Sequence, residues 1–214
     1  MGNPRESYLP YRRASMSART DLFSTMFTQG FGFVAKAKKH VFTVVPVGML
    51  HLPSGRLVIG TAYDFYPLTR LAPTGVFSVE ASLATVSDLE SRIAGLRIVF
   101  STEAVVTWEV ADGEFGGARG FAAPSGLYID AQLLPSLQVY IEGASSPDEW
   151  YYDPPKKEGK TWQVACFAPD DDRLETCTMF GTNSYNNDGP YISYWGLDAS
   201  GAPAVLVTDV NLVP

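Results

Sequence analysis

The sequence predicts a mainly β fold, a β-sandwich or a strongly bent antiparallel sheet with one or two short helices. The first observation is the tripeptide Pro-(Ser/Thr)-Gly, which occurs three times, each copy followed by a strand-like run. Proline presets the first dihedral angle of a turn and glycine can take a positive φ, so each copy favours a tight turn. The copies are Pro53-Ser54-Gly55, Pro73-Thr74-Gly75 and Pro124-Ser125-Gly126.

The second observation is a hairpin signal near the C-terminus. An aromatic run over residues 191–196 and an apolar run over residues 204–208 flank the turn Asp198-Ala199-Ser200-Gly201. Gly201 can adopt the left-handed conformation that a bulged hairpin loop needs. The pattern therefore predicts two antiparallel strands joined by this turn.

The third observation is the composition, which suits one globular domain. The chain has 214 residues, 46% of them hydrophobic and 18% charged. That balance excludes a disordered chain and favours a single core. We predict a flexible N-terminal arm over residues 1–19 and one β-rich domain over residues 20–214.

The charge balance limits the partners. Sixteen basic and 23 acidic side chains give a formal charge of −7, which disfavours nucleic acid and anionic membranes and favours a basic protein partner. The sequence has no apolar run of about 18 residues that would span a membrane. Two cysteines in a chain of this size favour a reducing compartment, so we predict a cytoplasmic protein.

The remaining elements follow from local patterns. Thr20 or Asp21 is expected to cap a short helix that runs through Gln29. Asp130 is expected to cap a second short helix over residues 131–134, and Pro53-Ser54-Gly55 to close a hairpin. The apolar stripe of the first helix is Leu22, Phe23, Met26 and Phe27. The other predicted strands are residues 41–45, 48–52, 56–60, 93–100, 104–110, 161–167 and 174–180.

Cysteines and histidines give no complete catalytic or metal constellation. Cys166 and Cys177 would face each other in a regular hairpin, and we interpret them as two small structural thiols. His40 and His51 have none of the spacings of a zinc site, so we interpret both as strand residues. No cofactor is predicted.

The loop over residues 181–189 is rich in oxygen-bearing side chains, among them Asn183, Asn186, Asn187 and Asp188. Such side chains stabilise turns, and they are also ligands that Ca²⁺ prefers. The spacing does not match an EF-hand loop. We favour the turn role and keep a calcium-binding module as an alternative.

The aromatic run supplies the candidate binding residues. In a strand, Tyr191 and Trp195 share one face and Tyr194 lies on the other. If one face is core, the other displays large amphipathic rings, which are enriched at binding hot spots. The alternative is that both faces are covered within a sandwich. The predicted contact residues are Asn183, Asp188, Tyr191, Tyr194 and Trp195.

Several short motifs resemble a bacterial family called domain of unknown function 4241, over most of residues 48–209. The most specific is Asp188-Gly189-Pro190-Tyr191-Ile192-Ser193-Tyr194-Trp195-Gly196-Leu197-Asp198. The others are Leu52-Pro53-Ser54-Gly55-Arg56-Leu57, Pro73-Thr74-Gly75, Ile93-Ala94-Gly95-Leu96-Arg97 and Trp108-Glu109. The resemblance implies an accessory protein of bacterial genomes, with toxin neutralisation as one role, and no activity can be carried over from the family.

Two functions are compatible with these observations. The first is a non-enzymatic binding protein, more specifically an immunity-type protein that neutralises a basic bacterial toxin. The alternative is a hydrolase-like enzyme for small molecules, whose cleft lies under the 181–189 loop with Asp188 as its acid or base. The binding protein is favoured because no complete catalytic constellation is recognisable in the sequence.

Overall fold

The computed structural model describes residues 16–35, 38–60, 65–87, 90–113, 125–137, 162–167, 177–182 and 191–210. These residues form a mainly β fold, as the sequence predicts. The helices are α1 (Met16–Met26) and a 3₁₀ helix (Ala131–Leu133), after which residues 134–137 are also helical. The strands are β1 (Gly32–Ala35), β2 (Lys38–Leu52), β3 (Leu57–Gly60), β4 (Phe65–Pro67), β5 (Gly75–Ser87), β6 (Glu90–Val99), β7 (Thr107–Val110), β8 (Ser125–Asp130), β9 (Trp162–Phe167), β10 (Cys177–Thr182), β11 (Ile192–Leu197) and β12 (Pro203–Asp209).

The strands form two antiparallel sheets. A curled seven-stranded sheet has the order β1-β2-β5-β6-β12-β11-β7, and a five-stranded sheet has the order β4-β3-β8-β10-β9. Strand β7 is thus an edge of the larger sheet among the described strands. No helix in the described part of the chain is long and apolar enough to cross a membrane.

The main core lies between the two sheets. Inward-facing side chains of the larger sheet, such as Leu50, Val79 and Trp195, pack with Ile59 and Tyr128 of the smaller sheet. These side chains are almost fully buried. Alternation along each strand brings every second residue to this layer, which is the expected pattern for sheets packed face to face.

Helix α1 covers the outer face of the larger sheet. The predicted stripe is confirmed: Phe23, Met26 and Phe27 are buried, and they pack against side chains such as Phe42 and Tyr194. The helix begins at Met16, earlier than Thr20, and ends at Met26 rather than Gln29. Residues 16–19 of the predicted arm therefore belong to the helix, while residues 1–15 lie outside the described residues.

The predicted hairpin around Pro53-Ser54-Gly55 is wrong. Strand β2 pairs with β5 and β3 pairs with β8, so the turn is a corner that carries the chain from one sheet to the other. Gly55 has the expected positive φ of 70°. A Cβ atom there would lie 2.4 Å from the carbonyl oxygen of Ala72, so the close approach excludes larger residues.

The predicted pairing of residues 161–167 with residues 174–180 is confirmed as the antiparallel pair β9–β10. Its register, however, pairs Cys177 with Phe167 and Cys166 with Thr178. The two cysteines are therefore offset by one residue and do not face each other. Facing cysteines would require a pairing register shifted by one residue. Local composition does not specify the register, so the sequence could not distinguish the two.

The C-terminal hairpin is confirmed, with β11 and β12 joined by a turn in which Gly201 has a φ of 82°. The carboxylate of Asp198 organises this turn. It accepts hydrogen bonds from the hydroxyl of Ser200 at 2.6 Å and from the amide N–H groups of Ser200 and Ala202 at 2.8 and 3.0 Å. The Ser200 hydroxyl and these amides hold the pKa of Asp198 below its ordinary value.

This pKa makes the stability of the turn dependent on pH. Because the folded state favours the charged carboxylate, its contribution is present above the ordinary pKa of aspartate and disappears as the pH falls through the lowered value. We expect an NMR titration to give Asp198 a pKa below that of an unstructured peptide, and Ser200→Ala to raise it. Ser101→Ala is the control and should leave it unchanged. An Asp198 pKa at or above the peptide value would contradict the prediction.

Candidate functional site

The aromatic strand β11 lies in the interior of the protein. Tyr191, Tyr194 and Trp195 are 1%, 7% and 1% exposed. Of the two alternatives for this strand, the displayed face is therefore wrong and the coverage of both faces is confirmed. Strand β11 is covered on one face by the core between the sheets and on the other by α1. The signal for this lay in the strand itself, because large rings at both alternating positions are typical of a strand with two buried faces.

The other two predicted contact residues, Asn183 and Asp188, lie outside the described residues. So does most of the 181–189 loop, with the predicted turn, the calcium alternative and the roof of the predicted enzyme cleft. Among the described residues, no three His, Cys, Asp or Glu side chains lie close enough to hold a metal ion. Both histidines lie in β2, as predicted, and Nδ1 of His40 is 2.8 Å from the carbonyl oxygen of Thr85.

A cleft of about 340 Å³ opens beside β7. Three separate segments of the chain contribute to it: the residues after β4, strand β7 with the residues after it, and β11. Trp195 lines one side, so one of the predicted contact residues reaches a cleft from its position in the core. The lining residues are Thr69, Arg70, Glu109, Val110, Asp112 and Trp195.

Backbone hydrogen bonds fix the geometry of this cleft. Leu68 forms an antiparallel bridge with Gly113, and Thr69 donates from both its amide and its hydroxyl to the carbonyl oxygen of Asp112, at 3.0 and 3.1 Å. These contacts hold the segment after β4 against the residues that follow β7. On the neighbouring side, Glu109 is the cross-strand partner of Trp195, so the two side chains lie on the same face of the sheet.

An ion pair spans the cleft. Nη2 of Arg70 is 2.6 Å from Oε2 of Glu109, and the two side chains are 35% and 47% exposed. Nη1 of Arg70 also lies 3.4 Å from the carbonyl oxygen of Gly201 in the C-terminal turn. A pair exposed to this degree contributes about 0–1 kcal/mol to stability, so its partners can separate at low cost.

The charges favour a cation as ligand. Glu109 and Asp112 are both exposed, and Arg70 is the counter-charge on the lining. Two carboxylates and one guanidinium leave this lining with a formal charge of −1. Carboxylates are suitable partners for an ammonium or guanidinium group.

A second polar group, buried in the core, has a structural role. The hydroxyl of Tyr128 in β8 donates to Oγ1 of Thr208 in β12, and the hydroxyl of Ser193 in β11 lies 2.7 Å from the same oxygen. Burial raises the pKa of the Tyr128 phenol, so it stays protonated and acts as a donor. This chain of hydroxyl groups joins the two sheets and satisfies polar groups that burial would otherwise leave costly.

The sequence analysis missed five of the six lining residues. Thr69 and Arg70 follow a short strand that was not predicted, and Asp112 lies just after the predicted strand of residues 104–110. Of these five, only Glu109 had a sequence signal for a functional role, because it follows a tryptophan in one of the family-like motifs. In the structure it alternates with half-buried neighbours along β7.

Residues 50–117 match the model of a family described as protein of unknown function (DUF4241). The predicted resemblance is therefore confirmed over this segment, which contains the first four motifs and five of the six lining residues of the cleft. The C-terminal motif that contains Trp195 lies outside the matched residues. No curated protein and no solved structure matches the chain.

Proposed function

We propose that this chain is a non-enzymatic binding protein for a basic protein partner, and more specifically an immunity-type protein that neutralises a basic bacterial toxin. The observation that supports this best is the cleft beside β7, where two exposed carboxylates, Glu109 and Asp112, lie beside an exchangeable guanidinium, that of Arg70. A cationic side chain of a partner can take the place of that guanidinium. The formal charge of −7 would also steer such a partner toward the chain.

The proposal revises the contact residues. Glu109 and Asp112 supply the cation site, and Asn183 and Asp188 remain proposed contacts. Tyr191, Tyr194 and Trp195 support the strand from within the core. A cytoplasmic location is part of the proposal and rests on the two cysteines.

The test compares two double variants that remove the same charges. Glu109→Gln with Asp112→Asn removes both carboxylates of the cleft, and Glu103→Gln with Asp21→Asn removes two exposed carboxylates elsewhere. The native chain is used to isolate a stoichiometric partner from a lysate of its source, and the affinity of the purified partner is measured by calorimetry. We expect the cleft variant to weaken binding about tenfold or more and the control variant less than about twofold.

The same partner then tests the immunity role. Co-expression of the native chain should relieve the toxicity of the partner, and the cleft variant should relieve it less. An acidic or neutral partner, or equal losses in both double variants, would refute the proposed cation site. A partner that is harmless when expressed alone would refute the immunity role and leave the binding protein.

The hydrolase-like enzyme stays an alternative prediction, because Asp188 lies outside the described residues. If it is right, the native chain should turn over a member of a panel of ester, phosphoester and glycoside substrates, and Asp188→Asn should abolish that turnover. Activity unchanged in Asp188→Asn would refute the assigned acid or base.

A further inference from the structure

The edge of β7 has backbone groups that no described residue uses. The amide of Ala111 donates to the carbonyl oxygen of Ser193 at 2.8 Å, which fixes which residues of this strand face β11. In an antiparallel pair the backbone groups of alternate residues turn to opposite sides. The N–H and C=O groups of Trp108 and Val110 therefore point away from β11, toward an edge where the described residues place no strand.

The residues after β7 continue this edge, and the segment after β4 pairs with them. Leu68 bridges Gly113 in antiparallel orientation, and Thr69 bonds to Asp112. After Arg70 the segment leaves the edge, because the amide of Ala72 donates to the carbonyl oxygen of Gly55 at 2.8 Å. This edge therefore pairs with an antiparallel segment at Asp112 and Gly113. That segment turns away before it reaches the backbone of Val110 and Trp108.

We infer that an extended, basic segment of a partner protein adds to the edge of β7 as an antiparallel strand and places a cationic side chain on Glu109 in exchange for Arg70. This inference rests on the proposed function and names its mode of recognition. Main-chain hydrogen bonds to Trp108 and Val110 supply the pairing, as in other cases of strand addition. The cleft supplies the preference for a cation.

Charge argues against a second copy of this chain as the occupant. Edge strands commonly carry charged residues that repel an identical edge, and Glu109 is exposed near the middle of this one. Two chains of formal charge −7 also repel each other as wholes. A basic segment meets neither obstacle.

The test uses three synthetic peptides of about six residues, the usual length of a strand. In the first, lysine alternates with valine; in the second, glutamate replaces lysine. The third repeats the lysine peptide with alternate backbone nitrogens methylated, which removes the donors on one edge without changing charge. Affinity for the native chain is measured by fluorescence anisotropy, and hydrogen exchange follows the amides of β7.

We expect the lysine peptide to bind, the glutamate peptide not to bind, and methylation to weaken binding about tenfold, the effect of losing a pair of backbone hydrogen bonds. The amides of Trp108 and Val110 should gain protection from exchange, whereas that of Ala111 is already bonded. Arg70→Ala should strengthen binding of the lysine peptide, because its competitor for Glu109 is gone.

Three outcomes would overturn the inference. Equal binding of the lysine peptide and its methylated form would exclude strand addition while leaving the proposed cation site intact. Absence of binding by either peptide would exclude the edge as a site for basic segments, and the proposed function would then be judged by the charge variants. Self-association in sedimentation, with protection of Trp108 and Val110 in the absence of peptide, would assign the edge to a second copy.

Discussion

Replacement of Trp195 by alanine is expected to lower the free energy of unfolding by about 3–5 kcal/mol. The indole is 1% exposed and belongs to the core between the two sheets. Its ring centroid lies 5.8 Å from that of Phe100, within an aromatic cluster that continues to Phe77. Truncation leaves a cavity in a layer where both sheets are held by hydrogen bonds and cannot close the space. Urea unfolding followed by circular dichroism measures the loss.

Val106→Ala is the control for this experiment. Val106 is 60% exposed beside the same edge strand, and its truncation should change the free energy of unfolding by no more than about 0.5 kcal/mol. A loss of less than about 1 kcal/mol for Trp195→Ala would contradict the burial of the ring. The expected size also decides how binding should be studied: a variant of Trp195 reports on folding, so Glu109 and Asp112 are the residues to change.

Strand positions were predictable because they depend on short-range chemistry. Strand β5 begins at Gly75 of Pro73-Thr74-Gly75 as expected, since proline restricts the backbone locally and glycine permits a positive φ. Ser125 and Gly126 are the first residues of β8, and Pro124 lies outside the described residues. The stripe of α1 was equally local, because helical spacing alone places Phe23 and Met26 on one face. These features needed no knowledge of the rest of the chain.

Pairing of strands was less predictable. A proline-glycine turn at residues 53–55 is compatible with a hairpin and also with a corner between sheets. The choice depends on which strand meets β2, and that strand is β5, whose thirteen residues pair with β2 from Phe42 to Leu52, whereas β3 has four residues. Pairing between strands distant in sequence is decided by the whole fold, so local turn chemistry did not specify it.

The candidate site was almost hidden from the sequence. Arg70, Glu109 and Trp195 meet only because β7 pairs with β11 and the segment after β4 follows the edge of β7. Each residue alone has an ordinary role as a surface charge or a core ring. Conversely, the aromatic strand stood out in the sequence, and its rings are buried because two separate layers cover it. The rings at alternating positions indicate two buried faces, but which distant elements cover them has no local signature.

Asp130 makes one contact that the local sequence predicts and another that depends on the whole fold. Its replacement by alanine is the second large effect we expect. Its fully buried carboxylate accepts hydrogen bonds from Gln132, as the predicted cap of the 3₁₀ helix, at 2.9 Å. It also accepts from the amide and the hydroxyl of Ser54, at 2.9 and 2.6 Å, across 76 residues of sequence. The corner between the sheets and the helix cap therefore depend on one side chain.

We expect Asp130→Ala to lower the free energy of unfolding by about 3 kcal/mol, because two amide N–H groups and a hydroxyl lose a charged acceptor. Asp112→Ala removes an exposed carboxylate and should change it by no more than about 0.5 kcal/mol. A double-mutant cycle with Ser54→Ala isolates the corner, and we expect a coupling energy of about 1–2 kcal/mol. No coupling would mean that Asp130 acts only as the helix cap. A loss equal to that of Asp112→Ala would refute both roles, and the joining of the two sheets would then depend on the close approach of Gly55 to Ala72 and on the buried hydroxyl chain.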